Sequence, residues 1–226
     1  MDISYSIVGF FVQGGIFMLP ILLVAAIGVA IAVERYISLT RMGVTNRSVW
    51  TAVEPVLTNG DFDKARELTG KDDTAISRLL GVGLSLQGAV RRRDDVKTAM
   101  QECMTGIMPQ LEKRTHYLAT LANIATLLGL LGTVSGLIHA FSAVATVNPA
   151  EKANLLSASI SEAMNCTAFG LMVAVPFLAI HSMLQTKTVQ LIDHLEAASI
   201  KFLTVLTHRQ PTRAQSHLEL ARAANG

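Results

Sequence analysis

Three stretches of this chain are almost free of charge. Asp2 to Glu34, Arg114 to Glu151 and Lys152 to Lys187 bracket runs whose single acid or base is Glu162. A helix rising about 1.5 Å per residue needs roughly 20 apolar residues to cross the hydrocarbon of a bilayer, and each run is longer than that. Three membrane spans are the reading this imposes. Half of the residues are hydrophobic and the mean hydropathy is +0.42, which excludes a disordered chain. Two Cys exclude a disulfide-built scaffold, and 16 Gly without a period exclude collagen. A net charge of +2 is too balanced to point to nucleic acid. The first run, Ile3 to Val33, carries an Ala30-x-Ala32 site like that of a signal peptide. It has no basic residue ahead of it and exceeds the length of a signal core, so it is expected to stay as an anchor.

Lys and Arg set the direction, because basic loops remain on the cytoplasmic side. None precedes the first span, 13 lie from Arg35 to Arg114, Lys152 alone lies between spans two and three, and five follow from Lys187 onward. The N-terminus and the turn near 147–152 are therefore expected outside. Residues 35–114 and the tail are expected in the cytoplasm, so Cys103 lies inside and Cys166 within a span, places where a structural disulfide is not expected. The fold class is an all-α membrane protein with three transmembrane helices, N-terminus outside, C-terminus cytoplasmic and long helical cytoplasmic extensions. Its segments are a first transmembrane helix at 1–34, a cytoplasmic helical segment at 35–114, a transmembrane hairpin at 115–187, and a C-terminal helix with a polar tail at 188–226.

Within 35–114, breaks are expected at Gly43, Pro55, the Asn59-Gly60-Asp61 turn, Gly70 and Gly88, with Asp61 as an N-cap. The Arg91-Arg92-Arg93-Asp94-Asp95 run reads as a solvated helix start or a contact with anionic lipid. A helical pattern with Val96, Met100, Met104, Ile107 and Leu111 runs from Asp94 to Tyr117 and straight into span two. Leu191, Leu195, Ala198 and Phe202 form one stripe on a helix, Thr188 to Leu206, that extends span three. No zinc spacing, nucleophile elbow or phosphate loop is present, so neither an enzyme nor a cofactor or metal site is expected.

The polar atoms inside the spans carry the functional reading. Counting 17 residues back from Ala150 reaches Thr133, and 17 forward reaches Thr167. Equal counts along antiparallel helices place both at one depth, about 25 Å of helix from the turn. Either Thr can instead bond a carbonyl of its own helix. Glu162 is more demanding: an acid at a span centre costs about 2.5–3.5 kcal/mol on insertion scales, so it must face protein or water. Ser159, Asn165, Cys166, Phe169, Val173 and Pro176 share its side of the helix, whereas Thr167 goes with Gly170, Leu171 and Ala174 on a small-residue face. Glu162 is expected to look into an internal cavity, or else to bond a neighbouring helix and fix assembly. One proton moved through about 100 mV releases about 2.3 kcal/mol, so a chain that passes protons could do work. Gly132 and Gly136 form a small-x-x-x-small pair for close helix packing. Pro176 removes a helix bond and bends or softens span three, and His139 is either a helix–helix donor or a proton carrier.

Leu130-Leu131-Gly132-Thr133-Val134-Ser135-Gly136, Ile138 to Phe141, Ile160 to Met164, Thr167 to Leu171 and Val175-Pro176 resemble the MotA/TolQ/ExbB proton channel family. Glu34-Arg35 and Leu206 to Gln210 are similar to the ExbB/TolQ branch, as are three spans with an outside N-terminus. The resemblance implies an inner-membrane stator: a homopentamer enclosing the single spans of two ExbD/TolR-like subunits. That assembly sits in lipid, works with a TonB- or TolA-like energy transducer and engages no nucleic acid. It further implies Glu162, Thr133 and Thr167 as the polar lining of a proton pathway and Pro176 as the helix-shape residue. Ala158-Ser159 stand where the family often has Pro-Gly, so the start of span three is expected to be straighter. A non-conducting scaffold that anchors a periplasmic partner is the rival reading. A small-molecule transporter would call for inverted repeats, and none is visible.

Overall fold

The structure is a computed structural model that describes residues 15–87 and 93–209. The described residues form six helices and no strand: α1 Met18–Asn59, α2 Phe62–Lys71, α3 Ala75–Leu86, α4 Arg93–Glu112, α5 Thr115–Thr146 and α6 Lys152–Arg209. Three helical stretches, Met18–Asn59, Asp94–Ala145 and Lys152–Thr207, are long and apolar enough to cross a membrane. The chain divides into two compact units, Met1–Tyr36 with Arg114–Gln185, and Ile37–Lys113 with Thr186–Gly226.

In the first unit α5 is apolar around its whole circumference, which suits a helix surrounded by lipid and protein rather than by water. The stripe Leu118, Ala122, Ala125 is fully buried, and with it Ala163, Cys166, Phe169, Ala174 and Phe177 of α6 and Met18, Ile21, Val24 and Ala32 of α1. Leu127, Leu130, Leu131, Val134, Ile138 and Phe141 stay exposed on α5. The base of the unit is tied by polar contacts. Arg114 pairs with Glu34 at 3.3 Å, and His181 Nδ1 lies 3.0 Å from the Thr115 carbonyl. A carbonyl only accepts, so this contact makes Nδ1 the protonated nitrogen of that ring.

In the second unit Val49, Val53 and Leu57 of α1, Leu79, Leu80 and Leu84 of α3, Val96, Met100, Ile107 and Leu111 of α4 and the stripe Leu191, Leu195, Ala198, Phe202 of α6 are all buried. Gly83 leaves room for the Phe202 ring: a Cβ there would stand 3.1 Å from its Cδ1. Asp61 N-caps α2 by accepting from the Lys64 amide at 3.1 Å, after Gly60 turns the chain at φ 75°. Asn46 of α1 accepts from the Ile76 amide at 3.0 Å and so caps the first turn of α3 from another helix. Lys201 pairs with Glu54, and Lys187 Nζ donates to Thr40 Oγ1 at 3.0 Å.

Several expected breaks are absent. α1 runs unbroken through Gly43 and Pro55 to Asn59, because the buried Val49, Val53 and Leu57 reward continuity by more than one lost bond costs. Gly70 lies inside α2. Conversely, α4 does not run into span two: it stops at Glu112, and Arg114 adopts a left-handed φ of 65° before α5 begins. No glycine marks that break. The expected break at Gly88, the arginines at 91 and 92, the first 14 residues and the tail from 210 lie outside the described residues.

Candidate functional site

The seam between α5 and α6 is built from small residues. A Cβ on Gly136 would stand 2.9 Å from that of Ala163, one on Gly132 would stand 3.0 Å from that of Cys166, one on Gly129 would meet the Thr167 backbone at 3.2 Å, and one on Gly170 would meet the Ala125 carbonyl oxygen at 2.6 Å. Each glycine lets the facing helix approach closely, at Gly129 and Gly170 to backbone contact. Gly132, Gly136 and Gly170 therefore all lie in this seam, joined by Gly129.

The same pairings set the register. Thr167 faces Gly129, and its Oγ1 donates to that carbonyl at 2.8 Å. Thr133, one helical turn nearer the connection, is partly exposed and donates to Leu130 of its own helix at 2.6 Å. The two hydroxyls are thus not directly opposite, as the counts from Ala150 had them. α5 ends at Thr146 and α6 begins at Lys152, so the symmetry centre falls nearer Pro149, and each residue of displacement moves the pairing by two. Crossing of the helices adds the rest.

Glu162 stands on the exposed side of α6, next to the buried seam residue Ala163. Its neighbour across the unit is Gly15, in the turn that precedes α1: a Cβ on Gly15 would clash with Oε1 and stand 3.0 Å from Cδ. Phe17 follows the same turn, with its Cβ 3.5 Å from where a Cβ on Gly132 would be. Cys166, expected on the side of Glu162, is instead buried against Gly132 as a packing group. The expectation had counted angles around one helix, whereas the helix turns its Ala163-Cys166-Thr167-Gly170 edge to its neighbour. α6 continues through Pro176, which is exposed, while Phe177 is buried against Gly28 of α1. His139 is exposed.

Gly15, Gly28 and Cys166 are contacts that sequence reasoning did not single out. A Gly-Gly pair ahead of the apolar run was the available signal for Gly15, but the run had been read as one helix straight through it. Among the described residues no group of three His, Cys, Asp or Glu could hold a metal. The second unit contains a cavity of about 230 Å³ beside Arg41, Asn46 and Gln110, and its Asp73 and Arg78 are already paired with each other through two bonds of 2.6 and 2.8 Å.

The sequence profile of the MotA/TolQ/ExbB proton channel family matches residues 71–197. The chain belongs to this family. The matched range contains Thr133, Glu162, Thr167 and Pro176. The MotA/TolQ/ExbB family is of channel type rather than enzymatic. Relatives of this member are named TolQ and ExbB. The Tol-Pal system protein TolQ of Haemophilus influenzae is 34% identical over 112 residues, covering 50% of this chain and 48% of that protein. The putative biopolymer transport protein ExbB-like 1 of Synechocystis is 28% identical over 193 residues, covering 83% and 74%. TolQ of Pseudomonas aeruginosa is 27% identical over 174 residues, covering 76% and 68%. Against the Haemophilus protein, then, the match spans about half of the relative's length.

Proposed function

We propose that the chain is an inner-membrane stator subunit of a proton-motive-force-driven motor, passing protons together with an ExbD/TolR-like partner to energise outer-membrane uptake or envelope processes. One observation carries this reading: Glu162, the single acid in three charge-free spans, stands exposed on the isolated chain. Left to lipid, that carboxyl would cost about 2.5–3.5 kcal/mol at a helix centre. Cover from other subunits removes the cost and encloses a titratable group, which is what a proton pathway needs.

In this reading the N-terminus and the turn at 147–152 face the periplasm, and residues 35–114 and the C-terminal helix lie in the cytoplasm. Copies of the chain assemble as a pentamer in lipid around the spans of two partners, which couple to a TonB- or TolA-like transducer. Thr133 and Thr167 line the path near Glu162, since each hydroxyl oxygen that donates still has lone pairs to accept with. Pro176 shapes α6 below them.

The scaffold reading draws on the Thr167–Gly129 bond, which commits one of the two hydroxyls to helix packing. Glu162→Gln separates the two readings. It keeps size and hydrogen-bonding capacity but cannot release a proton. The expected outcome is a stably assembled complex in which proton flow and growth dependent on energised uptake, or envelope integrity, are lost. Full function in that variant refutes the stator reading and leaves the scaffold.

A further inference from the structure

We infer that Gly15 is a positioning residue for Glu162: the turn ahead of α1 closes against the carboxyl and fixes where it points. Gly15 has a φ of +74°, a backbone conformation that residues with a Cβ adopt at a cost, and its carbonyl accepts from the Met18 amide at 3.2 Å. The Leu19 amide bonds the Ile16 carbonyl at 3.3 Å, so two main-chain bonds hold the turn. The missing Cβ is the space that Glu162 uses. Built onto Gly15, that atom would clash with Oε1 and lie 3.0 Å from Cδ and 3.3 Å from Cγ. Both the conformation and the clearance demand glycine at this one position.

The consequence is directional. α6 leaves Glu162 exposed, and Gly15 of the turn stands directly against its carboxyl, while Phe17 of the same turn packs near Gly132. A side chain backed by main chain cannot swing towards α1. It is therefore held towards the open side, where another subunit must meet it. Gly15 acts through Glu162, whose side chain is what its missing Cβ would meet first.

This inference deepens the stator reading and rests on it for its consequence, but its test does not depend on proton flow. The full-length chain in native membranes is treated with a hydrophobic carbodiimide, and modification of Glu162 is followed by mass spectrometry across a pH series. Gly15→Ala is expected to change the labelling rate several-fold and to displace its pH profile, because the added methyl pushes the carboxyl off its backing. Gly28→Ala is the control for a purely structural defect: its Cβ would stand 3.0 Å from Phe177 Cδ2 in the same unit, far along α1 from Glu162. It is expected to lower stability and leave labelling unchanged. In a Glu162→Asp background the clash with Oε1 is relieved and the backbone strain at φ +74° remains, so Gly15→Ala is expected to change labelling of the aspartate less than labelling of the glutamate.

Wild-type labelling in the Gly15→Ala chain, or an effect undiminished with the shorter acid, overturns the inference. If Gly15→Ala prevents insertion, recovery of insertion on adding Glu162→Ala supports the contact, and failure to recover overturns it. Proton flow that survives Glu162→Gln refutes the proposed function instead, and leaves this geometry untouched.

Discussion

Thr167 Oγ1 donates to the main-chain carbonyl of Gly129 at 2.8 Å, across the seam between α5 and α6 and 38 positions away in the chain. The glycine has no side chain to screen its carbonyl, and the facing threonine is close enough to reach it. Inside a membrane such a bond has little competition from water, yet helix–helix bonds there still contribute only about 0.6 to 1.7 kcal/mol, because the separated helices also find partners.

Thr167→Val, which keeps the volume and removes the donor, is expected to lower the stability of the purified chain by about 1 kcal/mol. Thr133→Val removes a bond within one helix and is expected to cost less than half as much. Denaturant titration in mixed micelles, with Thr167→Ser as the variant that keeps the bond, checks the order. Equal losses at the two threonines would show that the seam bond has no special weight.

Glycines in the seam are expected to differ by what stands opposite them. At Gly170 an added Cβ meets the Ala125 carbonyl oxygen at 2.6 Å, a backbone atom that moves only if the helices separate. At Gly132 the obstacle is the side chain of Cys166, which can rotate. Gly170→Ala is therefore expected to destabilise by about 1–3 kcal/mol, and Gly132→Ala by less. In the Cys166→Ala background the obstacle of the sulfur is gone and Gly132→Ala should cost less than in the wild type, the two Cβ atoms at 3.0 Å accounting for what remains. Thermal unfolding of the four chains measures this.

Asn46 is buried, and its side chain accepts from the Ile76 amide at 3.0 Å. It caps α3 from 30 residues away, so its loss exposes an amide at a helix start that no local residue replaces. Asn46→Ala is expected to cost about 1–2 kcal/mol. Hydrogen exchange at the first turn of α3 should accelerate while exchange in α5 stays unchanged.

Cys103 in α4 offers a pH-dependent readout of the second unit. Burial pushes its thiol above the ordinary value of 9.0, and the Arg78 charge draws it partway back. Thiolate is the reactive form, so at any pH below its pKa alkylation is expected to be slower than for a free thiol, with the rise towards a plateau displaced to higher pH. Removing the cation takes away the term that lowers the thiol, so Arg78→Ala should slow alkylation further. Rates measured across pH in a Cys166→Ser chain test both statements, and faster reaction in Arg78→Ala would contradict the second.

Much of this protein was legible from one property, the placement of charge. Hydrocarbon crossing depends on composition summed along a helix, and such a sum survives any error in where the helix bends. The apolar spans, the isolated Glu162, the stripe from Leu191 to Phe202 and the small-residue pairs at Gly132 and Gly136 could all be read this way. Local signals did worse: Gly43 and Pro55 were read as breaks, yet α1 passes through both because tertiary burial outweighs single-residue propensity, while the break at Arg114 has no glycine to announce it.

The sequence by itself determined how many helices can span a bilayer and which polar groups lie within them. Tertiary structure decided which of those groups meet. That Thr167 reaches Gly129 and not the level of Thr133, that Cys166 packs in the seam, and that Gly15 backs Glu162 all depend on crossing geometry and on one left-handed turn. Those are relations between backbones, fixed by how closely two helices can approach, and no count of residues along one chain contains that distance.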